Sequence, residues 1–287
     1  MSNLVVTFAD ARMDHMHRRF RKQAKQLRVF DRVLCLTERD LDTSFVSEFR
    51  EILAPETRGF GYFVWKPQVI LQALKLAKPD DVLLYLDSGS HLVATGRPRF
   101  IDYIHMVRAS ASGILAFELD FIVNGHSHFE KEWSKADLLE HLQVLKLPEV
   151  VNSPQIQAGV IFIHNRPGVE QFFEEWLGVF RYSLTLVDDS PSIAPNFEEF
   201  RAHRHDQSVF SVLGKLRGIS LLSASEQYPS GSPPDWSSLS RFPIHNRRDK
   251  KDLCQKITSR AREVFQPVEI LMVRVKKLVL RAWAFIR

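Results

Sequence analysis

The chain has 287 residues, of which 45% are apolar and 25% charged, with only two cysteines, Cys35 and Cys254. This is the composition of a globular protein of one large or two small domains, and it excludes a disulfide scaffold or a Cys-x-x-Cys zinc ribbon. The formal charge of +5 is unevenly placed: residues 245–287 carry a net +8 and residues 1–244 a net −3. A near-neutral body with a basic tail argues for a surface partner of the tail and against a nucleic-acid-binding body.

The first ten residues lack the basic flank and long apolar run of a secretion signal. No stretch reaches the ~18 apolar residues of a spanning helix. A reducing, cytoplasmic location is therefore expected. Leu4–Phe8 reads as a first buried strand, Met13–Leu27 as an amphipathic stretch and Val29–Leu36 as a second strand. Phe45–Leu53 is a short helix candidate. Pro67–Ala77 is a clearer one, with Pro67 in the first turn and Val69, Ile70, Ala73, Leu74 and Ala77 on one face. The continuous apolar run Val82–Leu86 predicts a strand covered on both sides.

Further on, Ile114–Phe117 and Gly159–Ile163 read as strands. Ser134 with Asp137 resembles a capping box for a helix reaching about Lys146. Pro167–Tyr182 and Asp206–Leu216 read as helices, separated by the polar loop Asp188–Asn196, and Ile219–Leu222 as a late strand. Ser230–Ser240 is turn-rich. Strands alternating with helices predict an α/β domain around a mainly parallel sheet, here residues 1–244. Ligands of such sheets bind beyond the carboxyl ends of the strands.

That rule selects five groups of residues. Asp87-Ser88-Gly89 follows Val82–Leu86 directly, so its carboxylate can meet a hard cation or cap a turn. His203-Arg204-His205-Asp206-Gln207 opens a helix; Asp206 is an N-cap or a reacting carboxylate, and the histidines suit a metal hydrolase if a third ligand joins them. His245-Asn246-Arg247-Arg248 could hold a pyrophosphate or begin a solvated tail. The segment Arg58 to Pro67 puts glycines, aromatics and Lys66 at a helix entrance, as a phosphate-binding wall or as core. Gln155 and Gln157 lead polar amides into a buried strand, a place for sugar hydroxyls.

In their order along the chain, these groups resemble bacterial GT-A-type glycosyltransferases of surface-polysaccharide (capsule or lipopolysaccharide) assembly. The resemblance lies in Gly59-Phe60-Gly61-Tyr62-Phe63-Val64-Trp65-Lys66-Pro67, in Asp80 to Gly89, in Gln157-Ala158-Gly159-Val160 and in His203 to Ser208, and covers about residues 4–250. It implies a GT-A-like fold and transfer of a sugar from a nucleotide-diphosphate donor, a UDP-sugar, to an acceptor hydroxyl. By resemblance, Asp206, Gln207 and His205 are catalytic. Thr7, Phe8, Tyr62, Trp65, Lys66, Asp87, Ser88, Gly89, Arg247 and Arg248 bind the donor, and Gln157, Ala158 and Gly159 bind the acceptor sugar. Asp87 takes the place of an Asp-x-Asp metal ligand for Mn²⁺ or Mg²⁺. Gly89 stands where the second carboxylate belongs, so His245 is the further ligand, or Asp87 reaches the ion through water. The Asp206-Gln207 pair resembles that of retaining enzymes. The alternatives are a metal-dependent hydrolase on His203 and His205 and a non-catalytic membrane-associated module.

Residues 245–287 read as a basic tail, and Pro267–Arg287 as an amphipathic helix with Arg274, Lys276, Lys277, Arg281 and Arg287 on one side and Trp283 on the other. Such a helix suits an anionic membrane surface or packs on protein. Membrane contact, peripheral on the inner face of the cytoplasmic membrane, fits a glycan or lipid-linked acceptor.

Overall fold

The structure, a computed structural model, describes residues 1–11, 13, 15–121, 127–229 and 234–247. Arg248 and the expected tail helix over 267–287 lie outside the described residues. The protein is a mixed α/β fold in which helices flank a mainly parallel central sheet. Strands β1 (Asn3–Phe8), β2 (Arg32–Leu36), β3 (Val82–Leu86), β5 (Ile114–Glu118), β6 (Ile156–His164) and β7 (Ser220–Ser223) form one sheet in the order β2-β1-β3-β6-β5-β7. β2, β1 and β3 are parallel, and so are β5 and β7. β6 runs antiparallel to both β3 and β5. A separate two-residue ladder pairs β4 (His91–Leu92) with β8 (Ile244–His245).

Alternation along the strands builds two cores. Leu4, Val6 and Phe8 of β1 and Leu83 and Tyr85 of β3 face one core, while Val5, Leu84 and Leu86 face the other. The first core is closed by the helices Trp65–Leu76, Val169–Tyr182 and Asp206–Leu216. The second is closed by His15–Leu27 and Arg97–Ala109. Because side chains repeat every second residue, Asp87 leaves β3 on the side of Tyr85, toward Trp65–Leu76 and Asp206–Leu216.

Two expected elements differ. The helix expected over 45–53 is Thr43–Glu48. The one expected from Ser134 is split into Glu130–Trp133 and Ala136–His141. Ser134 Oγ donates to the Glu130 carboxylate at 2.6 Å, and Asp137 accepts from the backbone N–H groups of Ile193 and Ala194 at 2.8 and 2.7 Å. Ser134 thus turns back to the preceding helix and Asp137 to a distant loop, in place of a reciprocal helix cap.

Candidate active site

Three charged side chains meet at the carboxyl end of β3. Asp87 keeps the strand ladder going, its N–H donating to Gly159 O at 2.9 Å. Tyr85, two residues earlier on the same face, donates its hydroxyl to Asp87 Oδ1 at 2.7 Å. Lys66 lies in the first turn of Trp65–Leu76, its Nζ 2.6 Å from Asp206 Oδ2 and 3.5 Å from Asp87 Oδ1. Lys66 and Asp206 are each 4% exposed, whereas the Asp87 side chain is 46% exposed. The group is thus a buried ion pair with one carboxylate at the solvent edge.

Burial alone would lower the Lys66 pKa; the fields of Asp206 and then Asp87 overcome it and hold the ammonium above its ordinary value. The Phe63, Tyr85 and Trp65 rings lie 5.4, 5.6 and 6.0 Å from that ammonium and stabilise it further. Burial, then the neighbouring Asp87, raises the Tyr85 phenol well above its usual range, so it remains a donor to Asp87. Gly159 gives this carboxylate its room: a Cβ there would lie 2.8 Å from Asp87 Oδ2.

The wall beside Lys66 comes from an unusual backbone. Gly59, Phe60, Gly61, Tyr62 and Phe63 all have positive φ, forming a left-handed turn. Non-glycine residues pay about 1–2 kcal/mol each for this conformation. Packing and hydrogen bonds hold it: Tyr62 N–H donates to Arg58 O at 2.7 Å, and Trp65 Nε1 donates to Gly59 O at 2.9 Å. Phe8 stacks on Trp65 at 4.1 Å, and the Tyr62 ring packs on His205 at 5.4 Å. Thr7, at the end of β1, is fully buried, and its Oγ1 meets no hydrogen-bond partner among the described residues.

His205, also at positive φ, precedes the Asp206–Leu216 helix. Its Nδ1 lies 2.6 Å from Val187 O and its Nε2 3.6 Å from Asp189 Oδ1. Asp189 also pairs with Arg58 at 2.9 Å, joining the left-handed turn to the loop that follows Tyr182. Gln207 donates from Nε2 to Gln155 Oε1 at 2.8 Å.

The remaining expected site residues form a second group. Gln157 donates to Gln227 Oε1 and accepts from Asn246 Nδ2 at 3.0 Å. Ser90 Oγ donates to Asn246 Oδ1 at 2.6 Å. Ala158 lies in the core. The carbonyls of Ser88 and Ser90 accept from Arg19, which fixes the loop containing Gly89. Arg247 lies over Trp236 at 5.0 Å, and its guanidinium is 3.4 Å from His245 Nδ1. His245 Nε2 meets Leu239 O at 2.9 Å, so that nitrogen carries the proton.

The donor set of Asp87 and His245 does not fit a divalent cation as arranged. One oxygen of Asp87 is taken by Tyr85 and Lys66, and both His245 nitrogens are engaged, one beside a guanidinium. Among the described residues no three His, Cys, Asp or Glu side chains converge on a possible ion position. In the hydrolase reading, His203 Nδ1 already accepts from Lys135 N–H at 3.2 Å and His205 Nδ1 meets Val187 O at 2.6 Å, and among the described residues no third ligand joins the two rings.

Sequence reasoning missed Tyr85 and Arg19; Arg204 lay in the group that opens the Asp206–Leu216 helix, and its guanidinium lies 3.8 Å from the Trp133 ring centroid. Tyr85 was findable, since strand alternation puts it beside Asp87. Arg19 reaches the site through tertiary folding and left no local signal.

No protein-family model matches the chain, and no curated protein matches it in sequence. Among solved structures it is similar to mouse xyloside xylosyltransferase 1, at 8% identity and TM-score 0.45 over 89% of this chain and 99% of that one. It is also similar to a glycosyltransferase involved in glycosylation of the major capsid of PBCV-1, at 9% identity and TM-score 0.45 over 85% and 92%. A third is the galactosyltransferase LgtC, at 11% identity and TM-score 0.39 over 84% and 86%. All three are glycosyltransferases; at these identities and scores the likeness is one of general shape.

Proposed function

We propose that the protein is a glycosyltransferase that takes a sugar from a nucleotide-diphosphate donor, a UDP-sugar, to an acceptor hydroxyl. The observation that carries this is the Asp87–Lys66–Asp206 group, set at the carboxyl edge of a parallel sheet where α/β proteins bind ligands. In the reaction the anomeric C–O bond to the diphosphate breaks and its electron pair goes to the phosphate oxygen. The acceptor oxygen bonds to the anomeric carbon and its proton is lost. Negative charge grows on the leaving diphosphate while positive charge grows on the sugar. Fixed charges and dipoles aimed at those positions accelerate such a step.

Each residue has a part in this scheme. Phe8, Trp65 and Tyr62 make the aromatic wall against which the nucleotide packs, while Thr7, fully buried and on the side of β1 opposite Phe8, supports the strand end from behind. Asp87, half-exposed and held by Tyr85, orients the donor at its hydroxyls. Lys66 keeps the charge of Asp206 balanced, and Gln207 faces the sugar. Asp206 is buried and locked on Lys66, so it is poorly placed to deprotonate an incoming hydroxyl; this favours a retaining outcome. A divalent cation, where one accompanies the diphosphate, would take most of its ligands from phosphate and water. The acceptor is a surface glycan or lipid-linked sugar, and the basic segment 267–287 would hold the enzyme at an anionic membrane face.

A thermal-shift screen of nucleotide sugars, with and without Mn²⁺, tests the reading, because a ligand that binds only the folded form raises Tm. A UDP-sugar is expected to raise it, and Asp87→Ala to reduce kcat/KM by about 10²-fold or more. Full turnover by Asp87→Ala would remove the mechanism.

A further inference from the structure

Next to the candidate site a buried polar chain runs from Lys215 and Glu130 through Gln155 to Gln207. Glu130 is fully buried. Its Oε1 accepts from Lys215 Nζ at 2.8 Å and from Ser211 Oγ, and its Oε2 accepts from Ser134 Oγ at 2.6 Å and from Gln155 Nε2 at 3.0 Å. Gln155, also fully buried, donates in addition to Ser208 Oγ at 3.2 Å. On its other side, Gln155 Oε1 accepts from Arg204 Nη1 at 3.3 Å and from Gln207 Nε2 at 2.8 Å.

The chemistry of these partners fixes the direction of every amide. A carboxylate paired with a lysine only accepts, so the face of Gln155 toward Glu130 must be its NH₂. A guanidinium only donates, so the face toward Arg204 must be the oxygen. Both ends agree. The Gln207 group that meets that oxygen must then be its NH₂, which leaves Gln207 Oε1 pointing away from Gln155. A lone half-exposed glutamine would present oxygen or NH₂ almost equally. Here the Lys215–Glu130–Gln155 chain selects one end.

We propose that Gln155 is a positioning residue that makes Gln207 present its amide oxygen to the donor sugar. This rests on the glycosyltransferase reading above. An oxygen there accepts from a sugar hydroxyl and puts partial negative charge beside a carbon that becomes electron-poor as the diphosphate leaves. An NH₂ in its place would oppose that charge. Gln155 lies just before β6, and its backbone N–H donates to His128 O at 2.7 Å while its carbonyl accepts from Leu119 N–H at 2.8 Å. The strand therefore anchors the main chain, and the side chain alone performs the selection.

The test is a double-mutant cycle with Gln155→Met, Gln207→Ala and the pair, in the full chain. The rate of nucleoside diphosphate release is measured for the UDP- or GDP-hexose that wild type cleaves fastest, together with Tm. Gln155→Met is expected to lower kcat at least tenfold with KM within about threefold of wild type. In the Gln207→Ala background it is expected to lower kcat no further, while its Tm loss stays the same in both backgrounds. A merely structural role would move Tm without this dependence on Gln207. Multiplying kcat losses, or wild-type kcat in Gln155→Met, would overturn the proposal alone. If Gln155→Met does not fold, Glu130→Gln enters the same cycle with the same expectations. A wild-type protein that neither releases diphosphate from any of the sugars nor gains Tm with UDP would overturn the glycosyltransferase reading, and this role with it.

Discussion

Lys66 illustrates how much one side chain can decide. A buried ammonium is tolerated only because Asp206 and Asp87 face it, and Asp206 is tolerated only because of Lys66. Lys66→Met should therefore cost about 3–5 kcal/mol, since it strands a buried carboxylate, and Lys66→Met with Asp206→Leu should recover much of that loss. Urea denaturation of the single and double variants checks this; equal instability of the two would contradict it. Gly159→Ala is expected to act differently. A methyl 2.8 Å from Asp87 Oδ2 must displace the carboxylate, so activity falls more than tenfold while Tm shifts little, as paired kinetics and melting curves would show. His203 gives a pH signature. Burial, then His205 and Lys135, holds its pKa well below the ordinary 6.5. A histidine depressed in the folded state contributes stability above the unfolded pKa and loses it as pH falls below about 6.5. Stability should decline from pH 6.5 toward 5, and His203→Gln should flatten that slope.

At the scale of the element, the left-handed turn over residues 59–63 stands out. Its glycines were visible in the sequence beside Lys66, but the run of positive φ through Phe60, Tyr62 and Phe63 was not, because no aromatic residue prefers it. Strain of this kind persists where surrounding packing over-determines it and is concentrated at functional sites. Gly59→Ala places a Cβ 2.4 Å from the Phe63 ring at φ +60°. The expected loss is about 1–3 kcal/mol by thermal or chemical denaturation, with an accompanying loss of donor binding. The Ser134–Asp137 spacing shows the opposite limit of local reading. It has the form of a helix cap, yet Ser134 bonds back to Glu130 and Asp137 to the backbone of residues 193–194, and the helix starts elsewhere.

For the whole molecule, periodicity revealed most of the strands and the helices that cover them. Val82–Leu86 was legible because both its faces are buried, and Asp87 because it follows that run directly. The reversed direction of β6 and the β4–β8 ladder left no trace in local pattern, since strand direction is set by connections and not by side chains. For the same reason Asp87, Lys66 and Asp206 could each be named from the sequence, while their contact could not; it depends on two helices of the same sheet face arriving at one strand end. In the proposed function, that contact is where a nucleoside diphosphate and its sugar are held. A crystal structure of the protein soaked with a tight-binding nucleotide sugar tests this most directly. It should show the donor within hydrogen-bond reach of Asp87, its base against Trp65 or Tyr62 and its sugar facing Gln207. A donor bound at another face of the sheet, with Asp87 and Lys66 untouched, would contradict it.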